Sequence, residues 1–277
     1  MKPFLQYQNY RIYYQIEGQG ELLLFVHGWP TNSLLWKKQV AYFKANYRVL
    51  TFDWLGFGQS DKPIDYPYAF TEYKELLACL IEQLVSRNEI INLIAHDIGG
   101  PPTILWAHEN QAKVKRLILL NTLIYPFSTL LDKISHRLFL IPPFQQILMS
   151  DFGLKMTMKV LSTNRGERHN QHCSEILNAH QQWSTDLRVK TILDPIKKAL
   201  KKELLDLAER YQHIQSSKFL IIAKKDPLLY AHIQQLAQEN PEVPQFEVPN
   251  SGHFIAIDQP DTLNQILDKI LSAPAKF

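Results

Sequence analysis

The stretch Ile90-Ile91-Asn92-Leu93-Ile94-Ala95-His96-Asp97-Ile98-Gly99-Gly100 decides how this chain reads. Its first part is a short apolar run suited to a buried strand. It leads into a turn in which small residues surround one central side chain, just before a helix opens. An elbow of this kind holds the central side chain up at the carboxyl edge of a sheet, and Ala95, Gly99 and Gly100 lack the bulk that would block it. Residue type then sets the chemistry. A serine here would attack carbonyl carbon after passing its proton to a histidine, whereas an aspartate is already ionised and can displace a leaving group from saturated carbon. Asp97 therefore argues against an ordinary esterase. An aspartate before a glycine-rich helix start could instead be an N-cap, but a cap needs no histidine and second acid downstream.

Outward from this elbow, Arg11 to Ile16 alternates like a strand, Glu17-Gly18-Gln19-Gly20 is a turn, and Leu22 to Val26 is a continuous apolar run. Arg48 to Asp53, Ile90 to Ala95, Val114 to Asn121, Lys218 to Ala223 and Gln245 to Val248 also read as strands. Helical patterns fall between them at about Leu34 to Phe43, Thr71 to Val85 and Thr103 to Glu109. Such alternation predicts an α/β fold, a mostly parallel central sheet flanked by helices. Between Leu123 and about Tyr211 the strand signal gives way to amphipathic stretches broken at Pro126, Pro142-Pro143, Gly166 and Pro195. The expected organisation is a core of residues 1–122 and 213–277 with an inserted helical lid, 123–212, over the carboxyl ends of the strands, where open α/β sheets place ligands.

With 277 residues, 45% hydrophobic and 21% charged, the chain fits one large domain or a core carrying an insertion. A net charge of +3 with dispersed lysines and arginines gives no basic face for nucleic acid. The run Lys197-Lys198-Ala199-Leu200-Lys201-Lys202-Glu203 reads as a solvated helix face rather than a membrane or anion site. Cys79 and Cys173 have neither metal-like spacing nor the density of a disulfide framework, so a reducing compartment is expected. The amino-terminal residues show no apolar signal region, and no later run reaches membrane length. The expectation is a soluble cytoplasmic protein with no nucleic-acid or membrane partner; the sequence leaves a homodimer open.

Two further groups follow Asp97 in chain order: Asp226 after the apolar run Ile221-Ile222-Ala223, and His253 in Asn250-Ser251-Gly252-His253-Phe254. Asp226 stands where it could orient an imidazole, or simply order a turn before Pro227. Nucleophile, acid, histidine is the α/β-hydrolase order. At the end of the Leu22 strand, His27-Gly28-Trp29-Pro30 places the Trp29 amide so that, with the Ile98 amide, it forms a donor pair for a developing oxyanion. A cis Trp29-Pro30 bond is compatible with the motif. The glycines of Asp53-Trp54-Leu55-Gly56-Phe57-Gly58-Gln59-Ser60 read as a sharp structural loop, since the stretch lacks the ending of a phosphate loop and the dinucleotide fingerprint.

Together, His27-Gly28-Trp29-Pro30-Thr31, Asp53 to Pro63, His96-Asp97-Ile98-Gly99-Gly100 and Ser251-Gly252-His253-Phe254 resemble the aspartate-nucleophile branch of the α/β-hydrolase superfamily, which includes epoxide hydrolases and haloalkane dehalogenases. The resemblance covers the core and reaches the lid only through its position. It implies that Asp97 attacks a substrate carbon to form an alkyl-enzyme ester. His253, oriented by Asp226, then activates water against that ester, with no metal or organic cofactor. In that branch, epoxide hydrolases supply a proton from lid tyrosines, and haloalkane dehalogenases hold the halide with N–H donors that include a tryptophan directly after the nucleophile. Ile98 stands at that position, which turns the reading toward epoxide hydrolysis, with haloalkane dehalogenation as the alternative. A catalytically silent ligand-binding protein on the same fold is the alternative from a different class. Tyr125, at the mouth of the Val114 strand, is the lid tyrosine best placed to donate, and Tyr211 is expected to pack at the lid's base. His180 and Trp183, read as neighbours on one helix face, are further leaving-group candidates or an ordinary packing pair, and the Trp29 indole is another candidate. No arginine pair surrounds Asp97, so a small uncharged substrate is expected.

Overall fold

The computed structural model describes residues 3–126, 141–180, 183–198 and 205–274. Among them, eight strands form one sheet: β1 Phe4–Tyr7, β2 Tyr10–Glu17, β3 Leu22–Val26, β4 Arg48–Phe52, β5 Ile91–Asp97, β6 Val114–Thr122, β7 Ser217–Ala223 and β8 Gln245–Val248. Their order is β1-β2-β4-β3-β5-β6-β7-β8. β2 is antiparallel to β1 and β4, and every other neighbouring pair is parallel. This is the mostly parallel sheet expected from the alternation of strand and helix, and it is the α/β-hydrolase fold that the motif resemblance implies. β1 escaped the sequence reading because four residues are too few for alternation to show.

β3 is apolar and buried at every position because both faces of the sheet are covered there. In β3, Leu22, Leu24 and Val26 join one core with residues of α2 (Phe70–Leu84), α3 (Gly100–Glu109) and α9 (Tyr230–Glu239). Leu23 and Phe25 point the other way, into a second core with α1 (Lys37–Phe43), α10 (Ile255–Asp258) and α11 (Pro260–Ser272). The first expected helix begins later than its apolar pattern suggests. Ser33–Trp36 is a tighter 3-10 turn, whose cap Asn32 accepts from the Leu34 amide. α3 begins earlier, at Gly100, with proline in its first turn, where a missing N–H costs nothing.

Between β6 and β7 the described residues contain helices and no strand: α4 Pro142–Leu148, α5 Asp151–Leu161, α6 Glu167–Asn178, α7 Thr185–Lys198 and α8 Leu207–His213. Of these, α8 packs on α3. The side chains of the lysine-rich run from Lys197 to Glu203 fall outside the described residues. Among the described residues no helix is long and apolar enough to cross a membrane.

Because both faces of β3 are buried, Leu23→Ala and Leu24→Ala should each lower unfolding free energy by about 2–5 kcal/mol in urea titrations. A sheet with one solvated face would show that loss for only one of them.

Candidate active site

β5 ends at Asp97, whose φ of 54° lies in the left-handed region. A non-glycine residue there stores roughly 1–3 kcal/mol unless its surroundings hold it. They do. The Thr122 hydroxyl donates to the Asp97 carbonyl at 2.6 Å, and the Gly99 amide turns back to the His96 carbonyl at 3.0 Å. Gly28 passes so close that a Cβ on it would stand 2.5 Å from Asp97 Oδ2, so only glycine fits. Asp97 is not a helix cap. The cap position of α3 belongs to Gly99, and Asp97 Oδ2 accepts the Trp29 amide at 2.7 Å. The Ile98 amide bonds the same carboxylate. The two amides expected to serve an oxyanion thus already hold this carboxylate, the Trp29 amide at Oδ2. The Trp29-Pro30 bond is cis.

The other oxygen, Oδ1, lies 3.9 Å from His253 Nε2. That gap is too long for a direct hydrogen bond and suits an intervening water. On the far side of the ring, His253 Nδ1 donates to Asp226 Oδ2 at 2.9 Å. Asp226 also fulfils the turn-ordering alternative: its Oδ1 accepts the Leu228 and Leu229 amides at 2.8 and 3.2 Å. The structure therefore brings Asp97, His253 and Asp226 into one buried cluster with the Trp29 and Ile98 amides.

Electrostatics follows from burial and these partners. Burial raises the Asp97 carboxyl above the ordinary range, although His253 and the two amides pull against it. Burial also opposes charge on Asp226, but the His253 charge and hydrogen bonds from His253, Asn121 and Leu228 overcome it and hold Asp226 low. His253 is the mirror case. Burial lowers it, while the Asp226 charge and hydrogen bond, followed by the Asp97 charge, bring it above 6.5.

The leaving-group candidates are placed differently from the sequence reading. Tyr125 sits at the mouth of β6 as expected, but its hydroxyl donates to the Glu239 carboxylate of α9, so it does not join the Asp97 cluster. His180 and Trp183 are not on one helix. They flank the junction between α6 and α7 and stack with ring centroids 3.9 Å apart. Both imidazole nitrogens of His180 are committed: Nδ1 accepts the Gly58 amide at 2.9 Å and Nε2 donates to the Pro30 carbonyl at 3.2 Å. Burial, then the Lys62 charge, keeps this ring neutral. His180 thus clamps Trp183 to the Trp29-Pro30 turn and the Gly58 loop. The indole nitrogens of Trp29 and Trp183 are both buried without a hydrogen-bond partner among the described residues. Tyr211 is fully buried beneath Lys218, whose Nζ lies 4.9 Å from its ring centre. The Asp53 loop is structural: its carboxylate accepts the Ser33 and Gln59 amides, each at 2.7 Å.

Several supporting residues went unread. Asn121 donates from Nδ2 to Asp226 Oδ2 at 2.8 Å and accepts the Ala223 amide at 2.8 Å. Its only trace in the sequence is a polar Asn-Thr pair ending an apolar strand. His96 Nε2 donates to the His253 carbonyl at 2.8 Å. Asp258 accepts the Gly252 amide at 2.8 Å, and the Leu161 carbonyl accepts the His253 amide at 2.8 Å. No local signal marks the last two, because their partners are distant or backbone groups.

A family model described as the alpha/beta hydrolase fold matches residues 21–260. The chain is 26% identical over 260 residues to haloalkane dehalogenase 2 of Mycobacterium tuberculosis, covering 91% of this chain and 88% of that protein. It is 35% identical over 123 residues to cis-3-alkyl-4-alkyloxetan-2-one decarboxylase of Shewanella oneidensis, covering 44% of this chain and 38% of that protein. An esterase from Exiguobacterium antarcticum superposes with a TM-score of 0.80 at 20% identity, covering 99% of this chain and 100% of that structure, a likeness of fold alone. Since the family model spans most of the length and takes in the whole site, the chain belongs to the α/β-hydrolase-fold family of hydrolases.

Proposed function

We propose that this hydrolase works through a covalent ester at Asp97 and acts on a small, uncharged electrophile whose leaving group accepts N–H hydrogen bonds, as a halide does. One observation carries the reading: a buried carboxylate with Oδ2 held by the Trp29 amide and Oδ1 facing His253 at 3.9 Å. Oδ1 attacks the substrate carbon, the C–O bond forms as the carbon–leaving-group bond breaks, and Oδ2 becomes the ester carbonyl oxygen within reach of the same amides. His253 Nε2 then takes a proton from water as that water attacks Asp97 Cγ, Asp226 stabilises the imidazolium, and the tetrahedral intermediate collapses by breaking Cγ–Oδ1 as the imidazolium returns the proton to the departing alkoxide.

Leaving-group chemistry favours haloalkane dehalogenation. The Trp29 and Trp183 indoles are N–H donors with no acceptor among the described residues, whereas the Tyr125 hydroxyl is turned to Glu239. The likeness to a haloalkane dehalogenase over 91% of the chain supports the same reading. Opening of a strained oxygen ring, with an epoxide as the first case, remains the second reading. Ile98 favours it by supplying no side-chain N–H after the nucleophile, and the name of the decarboxylase relative denotes a four-membered cyclic ester.

Single-turnover reaction in heavy-oxygen water across haloalkane and epoxide panels should place label in Asp97. Halide or diol release then identifies the chemistry, and no label or adduct with any electrophile would favour a silent ligand-binding protein. His253→Gln should accumulate the alkyl-enzyme, seen as a substrate-sized mass increase in the intact protein. Only free enzyme, with a substrate that the wild type consumes, would contradict the mechanism. Trp183→Phe should slow halide release about a hundredfold while Tyr125→Phe leaves it nearly unchanged; the opposite pattern would return the proton-donor role to Tyr125. His253 must be neutral to accept a proton, and its value is raised. The rate of ester hydrolysis should therefore climb with pH through a midpoint above 6.5, and Asp226→Asn, which removes the main upward influence, should move that midpoint down. A midpoint indifferent to Asp226 would rule out this coupling.

A further inference from the structure

The large apolar side chains left exposed are unevenly distributed. Six of the twelve among the described residues fall between positions 141 and 160: Ile141, Phe144, Ile147, Phe152, Met156 and Val160. On α5, Phe152, Met156 and Val160 recur every fourth residue and form a single stripe, with Phe152 72% and Val160 63% exposed. The opposite side of the helix is buried through Leu154, Met158 and Leu161. A contiguous apolar stripe on a folded protein marks a contact surface more often than chance exposure does.

The charges beside the stripe identify its partner. Lys155 and Lys159 are exposed and flank it one turn apart. Among the described residues neither enters an ion pair, while Asp151, the acidic residue of this helix, is taken by Arg188 at 2.7 Å. A two-fold contact with a second copy would bring these uncompensated lysines into the same interface as their counterparts, which opposes a homodimer here. An anionic lipid surface satisfies both features at once: the apolar side chains enter the boundary of the acyl region, and the lysines remain among the headgroups.

We infer that α5 docks this protein on an anionic lipid surface. This departs from the sequence expectation of no membrane partner, which rested on the absence of a spanning run and not on surface periodicity. The docking helix also reaches the active site. Leu161, its last residue, accepts the His253 amide at 2.8 Å, so the surface that meets lipid and the loop that carries the imidazole are joined by one hydrogen bond.

Vesicle flotation of the full chain tests the inference, using phosphatidylcholine alone and phosphatidylcholine mixed with phosphatidylglycerol at low salt. The wild type should float with the anionic vesicles and be released by salt. Lys155→Gln with Lys159→Gln should weaken partitioning about thirtyfold, since each lysine near such a surface contributes roughly fivefold. Phe152→Ser with Val160→Ser should abolish flotation, with circular dichroism of both variants unchanged. Failure of the wild type to float at low salt overturns the proposal, as does flotation unaffected by both pairs of substitutions. Stripe-dependent, salt-insensitive self-association in sedimentation velocity would also overturn it, by assigning the surface to a second copy.

Discussion

The backbone of Asp97, held at a positive φ where β5 becomes α3, is the constraint from which the site is assembled. An aspartate in an ordinary extended conformation would continue the strand and direct its carboxylate along the sheet. The left-handed turn raises the carboxylate to the edge, where Trp29 and Ile98 can reach it with their amides. The conformation persists because its neighbours leave no alternative. Gly28 gives up its side chain to let the carboxylate pass, and Thr122, on the adjacent β6, secures the carbonyl. Parallel pairing of β5 with both β3 and β6 makes this possible, since it brings the ends of three strands to one edge.

Around that constraint, the charges are arranged so that each buried ion has a partner. Asp226 is a carboxylate in a position that would otherwise be prohibitively dry, and imidazole, amide and asparagine donors offset its burial. His253 draws its orientation from the same bond and its backbone placement from His96 and Leu161. His96, by contrast, is kept neutral: burial, reinforced by the nearby His253, pulls it down to about 3. Two imidazoles with ring centroids 4.6 Å apart are therefore shifted in opposite directions, His253 up and His96 down.

The segments around Trp183 are held by a second set of contacts. His180 joins three pieces of chain that are distant in sequence, the Pro30 turn, the Gly58 loop and the Trp183 ring. The glycine-rich loop after β4 thus takes part in positioning a tryptophan. The segment between β6 and β7 makes contact from two sides: His180 bonds the Trp29-Pro30 turn, and the carbonyl of Leu161 holds the histidine loop.

The sequence by itself determined the parallel sheet, the elbow and the chain order of Asp97, Asp226 and His253, because these depend on local properties. Period-two burial, apolar runs at β3 and β5, and small residues around a turn are all legible within about ten residues. The extent of the Leu22 to Val26 strand needed no further information. What only the tertiary structure decided is where side chains outside those motifs point. Tyr125 turns to a carboxylate 114 residues away, and Asn121 reaches an aspartate 105 residues away. Neither local periodicity nor residue type encodes such a partner. Whether a hydroxyl or an indole is left to serve the proposed leaving group therefore rests on packing between distant segments, which pattern alone does not specify.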